Sequence, residues 1–305
     1  MKNNKKNEIK MCSRIKGEGK VKGLVYKYRP LSQKTGEKIS DFDKVMDILE
    51  NNRLYFPNRS QLNDPLEGII QPIYYSTLGS SYYISNGILQ PEFKHILDEY
   101  KILSLSRHPD NMQMWAHYAN NYCGVCIGFD MSNVEEKLRK VKYTKKKLKP
   151  IFIDREDDQQ SRETEIVYNN LLYKSYFWKY EKEIRIIKKT PNMYYNLPQN
   201  AIKCIIFGNV LEIDPTDIER IAGVCEEKNI KMYHAVMAVN RFDIIIESFN
   251  IDDYRNGEYN PYISKDLFIV DGKTYVINSY YTDDGLHVSE FPEDIFENNI
   301  SGGEH

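Results

Sequence analysis

Long apolar runs are missing from this chain, and none approaches the roughly 20 residues that a membrane-spanning helix needs. The first 22 residues are rich in lysine and lack the apolar centre of a secretion signal, so a cytoplasmic setting with no membrane partner is expected. Net charge is almost absent, −2 over 305 residues, so no global field draws the protein to nucleic acid or lipid. Any such attraction has to be local. Cysteine is sparse and odd in number, at five (Cys12, Cys123, Cys126, Cys204 and Cys225), which reads as free thiols in a reducing compartment. Cys123-Gly124-Val125-Cys126 has the C-x-x-C form, but no second pair or histidine couple stands at metal spacing. The motif also runs into an apolar strand rather than a helix start. Two core cysteines are expected there, and no metal.

Tyrosine, by contrast, is abundant at 24 residues, which suits a β-rich fold with half-buried, hydrogen-bonding rings. Strands are expected at Leu24–Arg29, Leu54–Phe56, Ile102–Ser106, Gly124–Phe129 and Ala201–Phe207, the first two stopped by Pro30 and Pro57. A helix is expected from Asp41 as N-cap to Asn51, with Val45, Ile48 and Leu49 at helical spacing. Further helices are expected over Met112–Asn120, about Arg162–Tyr176, and from Asp214-Pro215 to Glu227. Ile70–Gly87, rich in Tyr, Ser and Gly, reads as a mobile excursion. Lys137–Lys149 carries eight Lys or Arg and Asp154–Glu165 is mostly acidic; such runs are usually solvated faces that offset each other. Asp271-Gly272 supplies the positive φ angles of a hairpin turn between Leu267–Val270 and Lys273–Ile277. The mixture implies an α+β fold. Its expected organisation is a disordered basic tail (1–22), a core domain (23–249) and a C-terminal β-rich appendix (250–305).

The segment Trp178-Lys-Tyr-Glu-Lys-Glu-Ile-Arg-Ile-Ile187 reads as a strand, because aromatic and β-branched residues dominate it and polar positions roughly alternate. Alternation would project Glu181, Glu183 and Arg185 from one side. Two carboxylates and a guanidinium on one face are either an ion-pair ladder or a working site.

Four fragments, this one included, line up in order: Tyr26-Lys27-Tyr28-Arg29; Asn63-Asp64-Pro65-Leu66-Glu67; Met114-Trp115-Ala116-His117-Tyr118-Ala119 with Gly124–Asp130; and Trp178-x-Tyr180-Glu181-x-Glu183-x-Arg185. Together they resemble a bacterial family of unknown function, domain of unknown function 2971, over about residues 24–247. That family label implies no activity.

A more distant resemblance does. Arg29 at the end of a first strand, Ser104-Leu105-Ser106 in a middle one and Glu181-Lys182-Glu183 in a late one resemble the ordered Arg, Ser-Thr-Ser, Glu-x-Glu signature of ADP-ribosyltransferases. Leu105 departs from it, where Thr is usual. The resemblance implies a split β-sheet core with peripheral helices and NAD as substrate. Arg29 would anchor the pyrophosphate bidentately. Glu183 would stabilise the positive charge that develops on the ribose as nicotinamide leaves. Glu181 would orient or deprotonate the acceptor, Ser104 and Ser106 would hold Glu183 or the cofactor, and Tyr28, Tyr55 or Phe56 would stack on the nicotinamide. The acceptor would be protein, nucleic acid or water, and relatives of that fold suggest a toxin-like or phage-defence effector with a neutralising or regulatory partner protein.

Bland readings stand beside these. Arg29 and Glu183 could form a cross-strand ion pair. Asn63 and Asp64 suit a turn, and Glu67 suits either a cap or the site. Trp115 and Tyr118 suit a helix face packed in the core, His117 lies off that face, and Trp178 suits a core or pocket wall. The competing function is a binding module without chemistry that senses a nucleotide or phage component. It would use Lys145-Lys146-Lys147 and the Tyr74–Tyr83 segment.

Overall fold

The computed structural model describes residues 23–31, 40–68, 72–76, 79–84, 96–145, 151–154, 159–238, 243–259, 264–270, 273–282 and 285–289. The expected tail 1–22, the Asp271-Gly272 turn, and Lys146 and Lys147 lie outside the described residues.

In chain order the strands are β1 (Val25–Pro30), β2 (Arg53–Tyr55), β3 (Pro72–Ser76), β4 (Gly79–Ile84), β5 (Tyr100–Ser106) and β6 (Gly124–Phe129). They continue as β7 (Arg139–Lys140), β8 (Lys142–Thr144), β9 (Ile151–Asp154), β10 (Tyr173–Ser175), β11 (Glu183–Lys189) and β12 (Tyr194–Asn196). The remainder are β13 (Ile202–Phe207), β14 (Lys231–Ala238), β15 (Asp243–Ser248), β16 (Ser264–Val270), β17 (Lys273–Thr282) and β18 (Gly285–Ser289). The α-helices are α1 (Asp41–Asn51), α2 (Met112–Tyr118), α3 (Gln159–Asn170), α4 (Pro215–Glu227) and α5 (Ile251–Arg255).

The chain is mixed α+β, built on an eight-stranded sheet in the order β15-β14-β13-β6-β1-β5-β11-β7. β13 and β14 run parallel and are joined through α4, as a parallel pair requires a crossover. The other neighbours are antiparallel. β6 is buried at all six positions, as befits a strand covered on both faces.

Local chemistry starts the helices. Ser40, not the expected Asp41, caps α1: its Oγ accepts from Asp43 N at 3.0 Å, and the Asp43 carboxylate reaches back to Ser40. Asp214 caps α4 through Thr216 N at 2.9 Å, with Pro215 in the first turn, where its missing N–H costs nothing.

Register divides the buried residues between the two faces. One face carries Val25, Leu103, Leu105, Val125, Ile127, Ile184, Ile186, Ile205 and Phe207, covered by Val45 and Leu49 of α1 and Ile218 and Ile221 of α4. The opposite face holds two separate apolar clusters. Trp115 and Met114 of α2 pack on Tyr26, Tyr28, Cys126, Cys204 and Ile206. Val167, Leu171 and Leu172, in and after α3, pack on Ile102 and Ile187. Between these clusters the same face is polar, because Ser104 lies opposite Arg185 and Ser106 opposite Glu183.

Three further expectations are corrected. Residues 176–181 form a 3-10 helix rather than the start of a strand, and β11 begins only at Glu183. Lys182, at φ 47°, makes the left-handed turn between them. α3 ends at Asn170 instead of continuing to Tyr176, because β10 pairs in parallel with β8. Ile70–Gly87, expected as an excursion, contains β3 and β4, which pair with each other, while β3 also pairs with β9. The expected C-terminal hairpin is part of a three-stranded sheet, with β16 and β17 antiparallel and Val270 opposite Lys273.

Candidate functional site: a buried charge network beside a lysine-lined cleft

Arg185 is wholly buried at the centre of the polar zone. Its Nε donates to Glu183 Oε1 at 2.7 Å and its Nη2 to Glu183 Oε2 at 2.8 Å, the two-pronged geometry that suits a guanidinium to a carboxylate. Nη1 donates to Leu171 O at 2.5 Å, and Nη2 also pairs with Glu67. Lys174 supplies the second cation. It occupies the single buried position of β10 and donates to Glu181 Oε2 at 2.6 Å and Glu183 Oε2 at 3.2 Å, with Glu67 Oε2 at 3.8 Å. Glu181 and Glu183 therefore meet at Lys174, although only Glu183 is on the strand.

Three carboxyls face two cations, and their acidities divide accordingly. Burial works to raise Glu183, but Arg185 and then Lys174 outweigh it and hold that carboxyl at about 2. Burial pushes Glu67 up to about 7 against the pull of Arg185. Burial and the neighbouring Glu183 charge raise Glu181. The upward shifts thus fall on Glu67 and Glu181, and Glu183 stays an anion with both oxygens occupied. Burying ions costs several kcal/mol each, and the hydrogen-bonded pairing of Glu183 with Arg185 and Lys174 offsets that cost.

Tyrosines and serines close the network. Tyr118 Oη donates to Glu181 Oε1 at 2.5 Å and is also hydrogen-bonded to Asn63. Glu183 N donates to Tyr143 Oη at 2.8 Å, and Ser106 Oγ donates to Glu181 O at 2.8 Å. Towards solvent, His117 Nδ1 and Tyr180 Oη are 2.9 Å apart, and the Lys174 ammonium lies 5.1 Å from the Trp178 ring centre. Asp64 is buried, with its Oδ1 accepting from Leu66 N at 2.9 Å in the turn that delivers Glu67.

Of the sequence-predicted residues, the fold brings Glu67, Ser104, Ser106, Glu181, Glu183 and Arg185 together, with Asn63, His117 and Trp178 around them. Others lie elsewhere. Arg29 alternates with Tyr28, so it stands on the α1 face, opposite Glu183; the acid that acts on it is Asp41. Neither the Arg29–Glu183 ion pair nor a shared ligand site between them forms. Tyr28 is buried edge-on to Trp115, with ring centres 5.3 Å apart, and its hydroxyl donates to His108 O. Trp115 is buried beside it and donates from Nε1 to Pro109 O at 2.7 Å. Phe56 is buried in the α1-side core, and Tyr55 pairs with Tyr194 and Gln61 on the two-stranded β2–β12 ribbon. Cys126 is buried in β6, whereas Cys123 donates to Glu212 Oε2 at 3.1 Å. Among the described residues no cluster of His, Cys, Asp and Glu is arranged to hold a metal, and no helix is long and apolar enough to cross a membrane.

The residues that local reasoning missed are Lys174 and, apart from Lys145, the walls of an adjoining cleft. The cleft has a volume of about 580 Å³ and is lined by Lys145, Lys179 and Lys182 with Tyr176, Phe177 and Tyr180. Lys145 Nζ lies 4.3 Å and Lys179 Nζ 5.1 Å from the centre of the Tyr176 ring. Phe177 is 87% exposed. The alternation of lysine and aromatic residues from Lys174 to Lys182 was the legible signal for this surface.

Both features fall largely within one stretch of sequence. Residues 114–186 match a family described as protein of unknown function (DUF2971). The matched stretch contains the Met114–Asp130 and Trp178–Arg185 motifs, together with Lys174 and the three cleft lysines, and leaves Tyr26–Arg29 and Asn63–Glu67 outside. No curated protein and no solved structure matches the chain. The resemblance to ADP-ribosyltransferases gains no support from these comparisons.

Proposed function

We propose that this protein is a binding module that takes a phosphate-bearing nucleotide in the cleft formed by Lys145, Lys179, Lys182, Tyr176 and Phe177. One observation carries this reading. Lys174 and Arg185 are answered by buried carboxylates, whereas among the described residues Lys145 and Lys179 meet the ring of Tyr176 and pair with no acid. A ring aims an ammonium without neutralising it, so the positive charge stays available to an anion. The volume suits a ligand of nucleotide size, and exposed Phe177 offers a stacking face. The ion network next to it acts as a rigid wall. ATP and NAD are the probes: either should raise the melting temperature, and the double variant Lys145→Glu with Lys179→Glu should abolish the rise. An unchanged melting temperature with both nucleotides at millimolar concentration would overturn the proposal.

A second reading, cleavage of NAD, is favoured by Glu181. Its pKa is raised by burial and by the Glu183 charge, and Tyr118 lies 2.5 Å from it. In this version Glu181 rather than Glu183 would act at the ribose, since Arg185 holds both oxygens of Glu183. Incubation with NAD should then release nicotinamide, and Glu181→Gln should stop the release. Binding without release leaves the first reading alone.

A further inference from the structure

The cleft is one end of a longer track. β8 and β10 run parallel with Lys142 opposite Tyr173 and Thr144 opposite Ser175. Lys142 Nζ lies 5.4 Å from the centre of the Tyr173 ring. Just past the two strands, Lys145 lies over Tyr176, the first residue of the 3-10 helix. Within the strands, alternation puts Lys142 and Tyr173 on the same face as Thr144 and Ser175, which line the cleft. Lys179 and Lys182 add cations at the far end, where Phe177 stands almost wholly in solvent. Among the described residues none of Lys142, Lys145, Lys179 and Lys182 is ion-paired with a carboxylate.

A mononucleotide brings one base and one cluster of phosphate charge, which the cleft alone could hold. The β8–β10 face and the adjoining cleft together offer four ammonium groups from two segments of the chain, with exposed Phe177 beside them. That pattern matches a ligand whose phosphates recur along a strand and whose bases are free to stack. We infer that the β8–β10 track and the cleft bind a single strand of nucleic acid, with phosphates at Lys142, Lys145, Lys179 and Lys182 and a base stacked on Phe177. A duplex fits less well, because its bases are stacked on one another and cannot reach Phe177. The chain's net charge of −2 means that the attraction is local to the track, so binding should weaken steeply with salt. This inference rests on the nucleotide-binding reading of the cleft and names the form its ligand takes.

Fluorescence anisotropy with a labelled 12-nucleotide oligothymidylate tests it, alongside a 12-base-pair duplex, thymidine monophosphate as competitor and a polyglutamate peptide. The single strand should bind at least tenfold more tightly than the duplex, the monophosphate or the peptide. Phe177→Ala should weaken it about tenfold, the effect of losing one stacked base. Lys142→Glu with Lys145→Glu should weaken it further and flatten the salt dependence by about 1.4 in log–log slope, at about 0.7 per phosphate contact for single strands. All three substitutions are at surface positions, and unchanged melting temperatures would confirm that the variants are folded. If nucleotides raise the melting temperature but the oligomer binds no more tightly than the monophosphate, the inference fails and the nucleotide reading survives. If neither oligomer nor nucleotide binds, both fail. Equal binding of the polyglutamate peptide, or no effect of Phe177→Ala, would likewise overturn the single-strand assignment.

Discussion

Lys174 and Lys179 belong to one short stretch of chain and do opposite work. Lys174 is buried among Glu67, Glu181 and Glu183, and its charge is spent on holding them together. Lys179 is exposed, rests near the ring of Tyr176 and pairs with no acid among the described residues. The chain separates the two with a 3-10 turn, so that side chains on one side enter the sheet face while those on the other line the cleft. What a charged residue does therefore follows from what answers its charge. A buried ion with complete partners is structural, because exposing or orphaning it costs far more than the pair gains. An exposed ion aimed by a neutral ring is free to bind.

The sharpest way to break this comparison is to remove the guanidinium. Arg185→Met leaves Glu183 and Glu67 buried with Lys174 alone, and should lower stability by about 3–5 kcal/mol in chemical denaturation. Arg185→Lys should not restore it, since an ammonium cannot span Glu183 and reach Glu67 and Leu171 O together. A neutral result would mean that the network is not what holds this face of the sheet.

The acid–base signature is a smaller effect with a definite sign. Glu183, at about 2 in the folded state against 4.5 when unfolded, contributes stability above pH 4.5 that disappears as pH falls towards 2. Glu67, at about 7 when folded, does the reverse: its folded state holds a proton that the unfolded chain has released, so its contribution is full below pH 4.5 and is lost as pH rises to 7. Denaturation midpoints of the wild type and Glu67→Gln, measured between pH 4.5 and 7.5, should shift in the variant's favour as pH rises. A difference that stays flat would place Glu67 as an ordinary ionised partner of Arg185.

At the other pole, Lys145→Glu with Lys179→Glu should change stability by no more than about 0.5 kcal/mol per site, the usual range for exposed substitutions. A loss of 2 kcal/mol or more, on the order of a buried effect, would show that the cleft lysines hold the fold, and would remove the contrast with Lys174.

Much of the scaffold was legible in sequence because it rests on local periodicity. β1, β5, β6 and β13 follow the expected apolar segments, α1 shows Val45, Ile48 and Leu49 on its buried face, and α4 starts at Asp214-Pro215. The errors arise where distant pairing overrides local preference. Tyr173–Ser175 continues a helical pattern, yet β8 draws it into a strand and thereby turns Lys174 inward. Trp178–Ile187 alternates like one strand, yet the left-handed Lys182 divides it.

The site shows the same division. By itself the sequence determined the ingredients: a short segment holding Glu181, Glu183 and Arg185, a lysine–aromatic run beside it, and a net charge too small for any long-range pull. Only the tertiary structure decided who meets whom. It put Arg29 on the far face from Glu183, because neighbours along a strand point to opposite sides and one register step reverses every side chain. It brought Glu67 and Lys174 to Arg185 from separate parts of the chain, because three carboxyls can be buried together only where two cations reach them.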